Sequence, residues 1–383
     1  MIAAAASIRG VVERVKSGER LSDADALALL ERGKLPELGE GADAVRWRLH
    51  PEPVATYIVD RNINYTNTCI TYCKFCAFYR PPGHPEEYTL TKEAMGAKIR
   101  ELKAIGGIQV LLQGGHHPYL KIEWYEDMLR FMKSLDIHIH GFSPSEITHI
   151  AQVSRLTLRE TLERLRKAGL DTIPGGGAEI LVDRVRREIS PLKLMTDGWL
   201  DVMRQAHAIG MKTTATMMYG HVETYAERVE HLRRLRELQD ESIARGNGGG
   251  LAPRSPQEIQ RHLQDGGGGF TAFICWSLQP DNTEMAGTAK TGGHEYLKTL
   301  AVARMYLDNV PNLQSSWVTQ GEKVGSMALA YGANDMGSTM LEENVVSQAG
   351  ASFRMPEAEI RRCIEDFGLQ PRRRDCYYNV IEK

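Results

Sequence analysis

Apolar positions along the 383-residue chain change period in a regular way. Short runs of β-branched and aliphatic residues alternate with longer stretches in which apolar residues recur every three or four positions. The first pattern predicts strands and the second amphipathic helices. Residues 1–50 come first and read as helical: "SGERLSDADALALLERG" offers Ser22 as a cap and Gly33 as a stop. The alternation then starts with "TYIVDRNIN" (56–64) and a helix near 91–105. It continues through "IQVLLQGG", "IHIHGFSP", "TIPGGGAEIL", "TTATMMYG", "FTAFICWSLQP" and "NLQSSWVTQG", each followed by a helical stretch, and ends in a weak eighth strand at "ANDMGSTM".

Strands alternating with helices predict a parallel sheet, and seven or eight such units predict a closed (β/α)8 barrel of the TIM type. An open, doubly wound sheet is the alternative. The expected organisation is an N-terminal helical extension (1–50), a barrel (51–350) and a C-terminal helical segment packed on it (351–383). A Gly-rich insertion at 241–269 interrupts the barrel. Within it Ser255, Pro256 and Glu258 predict the start of a short helix. The insertion joins a helix to a strand, so it belongs on the barrel face away from the chemistry.

Composition narrows the class. Hydrophobic residues make up 42% and charged residues 25%, with a net charge of −2, an ordinary globular profile. No basic tract suggests a nucleic-acid partner; the one Arg cluster, "PRRRD" at 371–375, reads as a solvated surface turn. No apolar run is long enough to cross a membrane and the N-terminus lacks a signal-peptide core, so the expected location is cytoplasmic. Of six cysteines, Cys275, Cys363 and Cys376 are scattered and read as small buried hydrophobes.

The other three crowd into "NYTNTCITYCKFCAFYR" as Cys69-x3-Cys73-x2-Cys76. Structural zinc asks for four ligands; three cysteines would need a distant His as the fourth. A thiol redox site needs only two. A [4Fe–4S] cluster held by three cysteines leaves one iron open to a small molecule. Polar or Gly-rich clusters recur at the ends of the predicted strands, on the face where a barrel builds its active site.

This cysteine spacing, with Phe75 before the third cysteine, resembles the radical S-adenosylmethionine (SAM) enzymes. With "LLQGGHHP", "IPGGGAEILVDRVRREISP", "TTATMMYGHVET" and "NLQSSWVTQG", the chain looks most like the menaquinone and deazaflavin branch. Within it the resemblance is to the cyclic dehypoxanthine futalosine synthases. Aminofutalosine synthases and the deazaflavin-forming synthase subunit are the sister alternatives, and an iron–sulfur electron-transfer or scaffold protein is the non-enzyme one. The resemblance implies a cluster on Cys69, Cys73 and Cys76, with SAM chelated to its open iron. Reductive cleavage of SAM then gives a 5′-deoxyadenosyl radical. That radical takes hydrogen from the sugar C4′ of dehypoxanthine futalosine, and ring closure onto the benzoate follows.

It further implies SAM contacts at Phe75, Phe78, Gln113, Gly114, Gly115, Ser143, Glu179 and Arg186, the last as partner of the methionine carboxylate. Gln113-Gly114-Gly115 departs from the superfamily's usual Gly-Gly-Glu. His116, His117, His221 and Glu223 are the expected acid–base candidates. Gln279, Asn282, Gln314, Ser316 and Asn334 are the expected substrate contacts. An electron donor such as flavodoxin or ferredoxin is implied as a partner, with no nucleic acid and no membrane.

Overall fold

The computed structural model describes residues 7–246, 255–351 and 353–381. Its strands are β1 (Val54–Ile58), β2 (Asp60–Asn64), β3 (Gln109–Gln113), β4 (His138–Gly141), β5 (Thr172–Ile173), β6 (Lys212–Tyr219), β7 (Gly269–Ser277), β8 (Asn312–Gln314), β9 (Asp335–Ser338) and β10 (Gln370–Arg373). They pair in the order β10-β1-β9-β8-β7-β6-β5-β4-β3-β2, every pair parallel. Val59 alone separates β1 from β2, so this one bent strand links β2, at one end of the series, to β1, next to β10 at the other, and curls the sheet into a TIM-type barrel. The stretch expected at 56–64 is this bent strand; the eighth strand expected at "ANDMGSTM" is β9.

Helices cover the outside because their apolar stripes have nowhere else to go. The helix Ile122–Lys133 buries Ile122, Tyr125, Met128, Leu129 and Met132 on one side. The helix Leu158–Ala168 begins at a Thr157/Glu160 capping box and buries Leu162, Leu165 and Ala168. The helix Gly293–Tyr306 is different: every residue from Tyr296 to Tyr306 is buried. The N-terminal extension accounts for this. Its helices Ile8–Lys16, Asp23–Arg32 and Leu35–Leu49 form an outer layer, and Lys298 donates to Leu30 O at 2.9 Å beneath them. In the insertion, Ser255 caps the helix Pro256–Gln264 with Glu258 completing the box; residues 247–254 lie outside the described residues. Ile259 and Leu263 pack with Ile243 in a small cluster separate from the main core.

Side chains at alternate positions point inward. Asp60, Asn62 and Asn64 from β2, Gln109, Leu111 and Gln113 from β3, Thr214, Thr216 and Met218 from β6, and Ile274 and Trp276 from β7 all line a chamber along the barrel axis. Many of these are polar, unlike the branched aliphatic layers that fill an ordinary barrel.

The C-terminal segment departs from expectation. It is helical at Glu357–Glu365, but "PRRRD" is no solvated turn: β10 runs through it and pairs with β1, Val54 to Tyr57 against Gln370 to Arg373. The tail then runs along the barrel away from the cysteine loop, where Arg374, Cys376 and Tyr378 line the chamber. Arg374, 4% exposed, meets the fully buried Asp335 through both carboxylate oxygens, at 2.5 and 2.9 Å. Asp335 also accepts from Thr56 Oγ1 and the Gly337 N–H. Three Arg in a row look solvated in one dimension; an acidic partner 39 residues upstream is invisible there.

Removing one member of a buried pair strands the other's charge, at a cost of about 3–5 kcal/mol. Arg374→Ala should lose about that much stability, read as the fall in urea midpoint at an unchanged slope. Asp60 sits beside this pair, accepting from Ser338 Oγ and, at 2.7 Å, from Gln109 Nε2. Burial pushes its carboxyl up to about 6. A raised acid favours the folded state while protonated and loses that contribution as pH climbs through the folded pKa. Asp60→Asn should therefore be more stable than the parent at pH 8, and the advantage should vanish by pH 4, as followed by thermal unfolding across that range.

Candidate active site

The wide end of the chamber is built on the loop after β2. Tyr65 sends its hydroxyl to Glu146 at 2.8 Å. Thr66 and Asn67 pin the strap at residues 86–89: Thr66 Oγ1 donates to Tyr88 O at 2.6 Å, Asn67 Nδ2 donates to Glu86 O at 3.0 Å, and Asn67 Oδ1 accepts the Tyr88 N–H at 2.8 Å. The "NYTN" stretch is thus scaffolding for the cysteine loop that follows. The Cys69 N–H bonds Arg80 O, and the Lys74 N–H bonds Ile189 O, both at 2.9 Å, so the loop is fixed at both sides.

Cys69, Cys73 and Cys76 all face the chamber. Cys69 Sγ accepts the His116 N–H at 3.3 Å and lies 3.1 Å from Thr71 Oγ1. The Cys73 thiol donates to the same hydroxyl. Burial pushes Cys73 up to about 11, and Lys193 pulls the other way. Among the described residues no three His, Cys, Asp or Glu side chains converge to hold a single metal ion. A cluster suits the donor set better, because its thiolates sit on different irons and need not converge.

Beside this loop runs Gln113-Gly114-Gly115. The expected reason for the glycines is a turn with positive φ. The structure gives a different one, space. A Cβ on Gly114 would lie 2.6 Å from the Tyr65 ring, and one on Gly115 only 2.2 Å from Thr68 O. Glu146 fastens the region from below: Oε1 accepts the Gly114 N–H at 2.9 Å and Oε2 the Ser143 N–H at 2.7 Å. Ser143 caps the helix Pro144–Ser154, its hydroxyl accepting the Glu146 N–H.

Glu179 lines the chamber with φ at 42°. Burial opposes its ionisation, but Lys193 at 3.0 Å and Arg186 at 3.3 Å outweigh that and hold the carboxyl below its usual range. Arg186 does not face the chamber. Fully buried, it spends its donors on the carbonyls of Gly177, Ala178 and Leu194 besides Glu179. The cation that lines the chamber beside the cysteine loop is Lys193, 5.5 Å from the Phe75 ring centroid. Nothing in the sequence singled out Lys193; a Lys two residues past a Pro in a loop is the commonest of surface patterns.

Phe75, Phe78, Gln113, Gly114, Gly115, His116, Ser143, Glu179, Gln279, Gln314 and Ser316 meet around one cavity of about 420 Å³. Six expected residues do not reach it. His117 turns to Tyr119, whose N–H bonds its Nδ1 at 3.2 Å. His221 and Glu223 form a closed knot: His221 Nε2 lies 3.0 Å from Met218 O, its Nδ1 accepts the Val222 N–H, and Glu223 accepts the Gly220 and His221 N–H groups and Arg228. Asn282, with φ at 58°, donates to Gln348 O at 2.9 Å. Asn334 ties β8 to β9, bonding Arg304, Asn312 and the Leu313 N–H. With Arg186, each is a buried or turn-forming polar residue whose hydrogen bonds the fold itself consumes. No described helix is long and apolar enough to cross a membrane.

Comparisons with known proteins follow this geometry. The radical SAM superfamily model matches residues 63–235, and the CofH/MqnC C-terminal region matches 267–383. The cyclic dehypoxanthine futalosine synthase of Halalkalibacterium halodurans is 44% identical, covering 98% of this chain and 95% of its own. That of Streptomyces coelicolor is 40% identical, covering 98% and 89%. The aminodeoxyfutalosine synthase of Thermus thermophilus is 36% identical, covering 97% and 95%. Among solved structures, methylornithine synthase superposes with a TM-score of 0.67 over 94% of this chain and 97% of its own; at 18% identity it speaks for the fold alone. The superfamily works with a [4Fe–4S] cluster and SAM, which is the pairing that three cysteines and an open fourth position suit. The chain belongs to the radical SAM superfamily, in the family that carries the CofH/MqnC C-terminal region and includes the cyclic dehypoxanthine futalosine synthases.

Proposed function

We propose that the protein converts dehypoxanthine futalosine to cyclic dehypoxanthine futalosine, a step in menaquinone biosynthesis. The observation that carries this is its kinship with two such cyclases along almost the entire length of both chains. When bound, the cluster and SAM supply a 5′-deoxyadenosyl radical that removes hydrogen from the sugar C4′. The cluster's electron comes from a small carrier of the flavodoxin or ferredoxin kind.

The chain's own residues have four tasks. Cys69, Cys73 and Cys76 hold the cluster at the chamber's wide end. Lys193 neutralises the methionine carboxylate, the role that Arg186 is too enclosed to take, while Glu179 orients Lys193 and accepts from the ribose. Gln279, Gln314 and Ser316 offer hydrogen bonds to the substrate. His116 takes the ring proton as the cyclised radical gives up one electron, for which the oxidised cluster would be the acceptor, and aromaticity returns: burial, with His149 and Lys193 nearby, keeps its imidazole well below the ordinary value and so unprotonated. The floor of Arg374, Cys376 and Tyr378 and the walls of Trp276, Met218 and Phe78 enclose the reactive carbon radical and limit its contact with water.

Reduced, cluster-loaded protein given SAM and dehypoxanthine futalosine should release free 5′-deoxyadenosine and a product two hydrogens lighter than substrate, by mass spectrometry. Adenosyl carbon incorporated into product would instead indicate the aminofutalosine synthase reaction. Lys193→Ala should weaken SAM binding by roughly 10–100-fold, the worth of a charged hydrogen bond, as measured by equilibrium dialysis of cluster-loaded protein. Arg186→Ala should chiefly lower the melting temperature.

A further inference from the structure

Three side chains of β2 line the chamber, and two of them are satisfied by the protein. Asp60 accepts from Ser338 and Gln109. Asn64 Oδ1 accepts from Asn344 Nδ2 at 3.3 Å, and its own Nδ2 lies 3.4 Å from Gln113 O. Asn62, between them, differs. It is only 7% exposed, and its Oδ1 is buried with no hydrogen-bond partner. Its register partner on β3 is Leu111, which has no polar group to offer. A buried amide oxygen without a donor is costly, and native proteins rarely keep one without a use. A leucine there would pack without that cost.

We propose that Asn62 binds a hydroxyl of the substrate's sugar. The inference rests on the cyclase reading and adds a contact to it. Oδ1 accepts and Nδ2 donates, and a hydroxyl, both donor and acceptor, can meet either once the amide turns. A sugar hydroxyl donates; an ionised benzoate does not. The amide's χ2 torsion is soft, so the group turns toward a ligand easily.

Depth agrees with this choice. Asn62 lies two residues, about 7 Å, below the level of Asn64 and its register partner Gln113, beside the cysteine loop and the proposed SAM contacts. The carbon that loses hydrogen must touch the radical carbon. The part of the substrate one step deeper is therefore the sugar that carries it, with its neighbouring hydroxyls.

The test compares dehypoxanthine futalosine with analogues lacking the 2′- or the 3′-hydroxyl, in the parent enzyme and in Asn62→Ala and Asn62→Ser. Cluster absorbance, SAM affinity and melting temperature are recorded for each. Asn62→Ala should raise KM about tenfold with SAM affinity unchanged, and Asn62→Ser should recover part of the loss. One deoxy analogue should show the same penalty with the parent and no further penalty with Asn62→Ala. Equal KM values and undiminished discrimination in the variants would overturn the assignment alone. If the variants fail to fold, the parent decides: indifference to both missing hydroxyls overturns the assignment. No turnover of dehypoxanthine futalosine by the parent would overturn the functional reading, and the sugar contact with it.

Discussion

A barrel with a chamber along its axis must be sealed at one end, and here a buried ion pair does the sealing. Arg374 reaches in from the residue just past β10 and grips Asp335 on β9 in a bidentate fork. Asp335 gathers Thr56 and the Gly337 backbone around itself. Strands from the start, the end and the late middle of the chain are thereby fixed to one carboxylate. Charges this deep are tolerated only with excellent geometry, so the floor's arrangement is narrowly determined. The Tyr378 ring lies 3.8 Å from the Arg374 guanidinium and screens its other face. Hydrophobic side chains could also plug a barrel, but they would have to fill the volume that the substrate needs.

The opposite end faces a different constraint, the close approach of backbones. Gly114 and Gly115 let β3 end against Tyr65 and the Thr68 carbonyl, and that approach brings the His116 N–H onto Cys69 Sγ. An N–H directed at a thiolate stabilises its charge, one of the means by which a protein adjusts a cluster's potential. Glu146 supports the same turn from three donors, the Tyr65 hydroxyl and two backbone N–H groups. These contacts define the geometry of the mouth, which positioning chemistry depends on.

How much of this the sequence discloses depends on whether the signal is local. The strand–helix alternation and the caps at Ser22 and Ser255 are local, and the structure follows them; the cysteine spacing is a local signal too. Side-chain direction at strand ends is not. His221, Glu223 and Asn334 have the residue types of an active site at the expected places, yet Arg304, 30 residues away, claims Asn334, and a local knot with Met218 O, the Gly220 N–H and Arg228 consumes His221 and Glu223. Arg374 errs in the opposite sense: it looks solvated and is buried. Lys193 gave no signal because its partner Glu179 is reached only through the fold of the intervening loop.

The distinction that matters in the chamber is therefore between polar groups with partners and polar groups without them. A satisfied network such as Asp60–Gln109–Ser338 is preorganised; it shapes the cavity and has little left to give a ligand. An unsatisfied group such as the Asn62 amide contributes nothing to stability on its own and costs something to keep. A ligand that donates to it recovers that cost on binding, and Asn62 alone among the described residues with such an atom lines the chamber. Composition cannot separate the two classes, since β2 reads Asp-Arg-Asn-Ile-Asn in either case. The hydrogen-bond inventory separates them, and it points to the middle of the barrel, between the floor that the fold needs and the mouth that the cofactor needs.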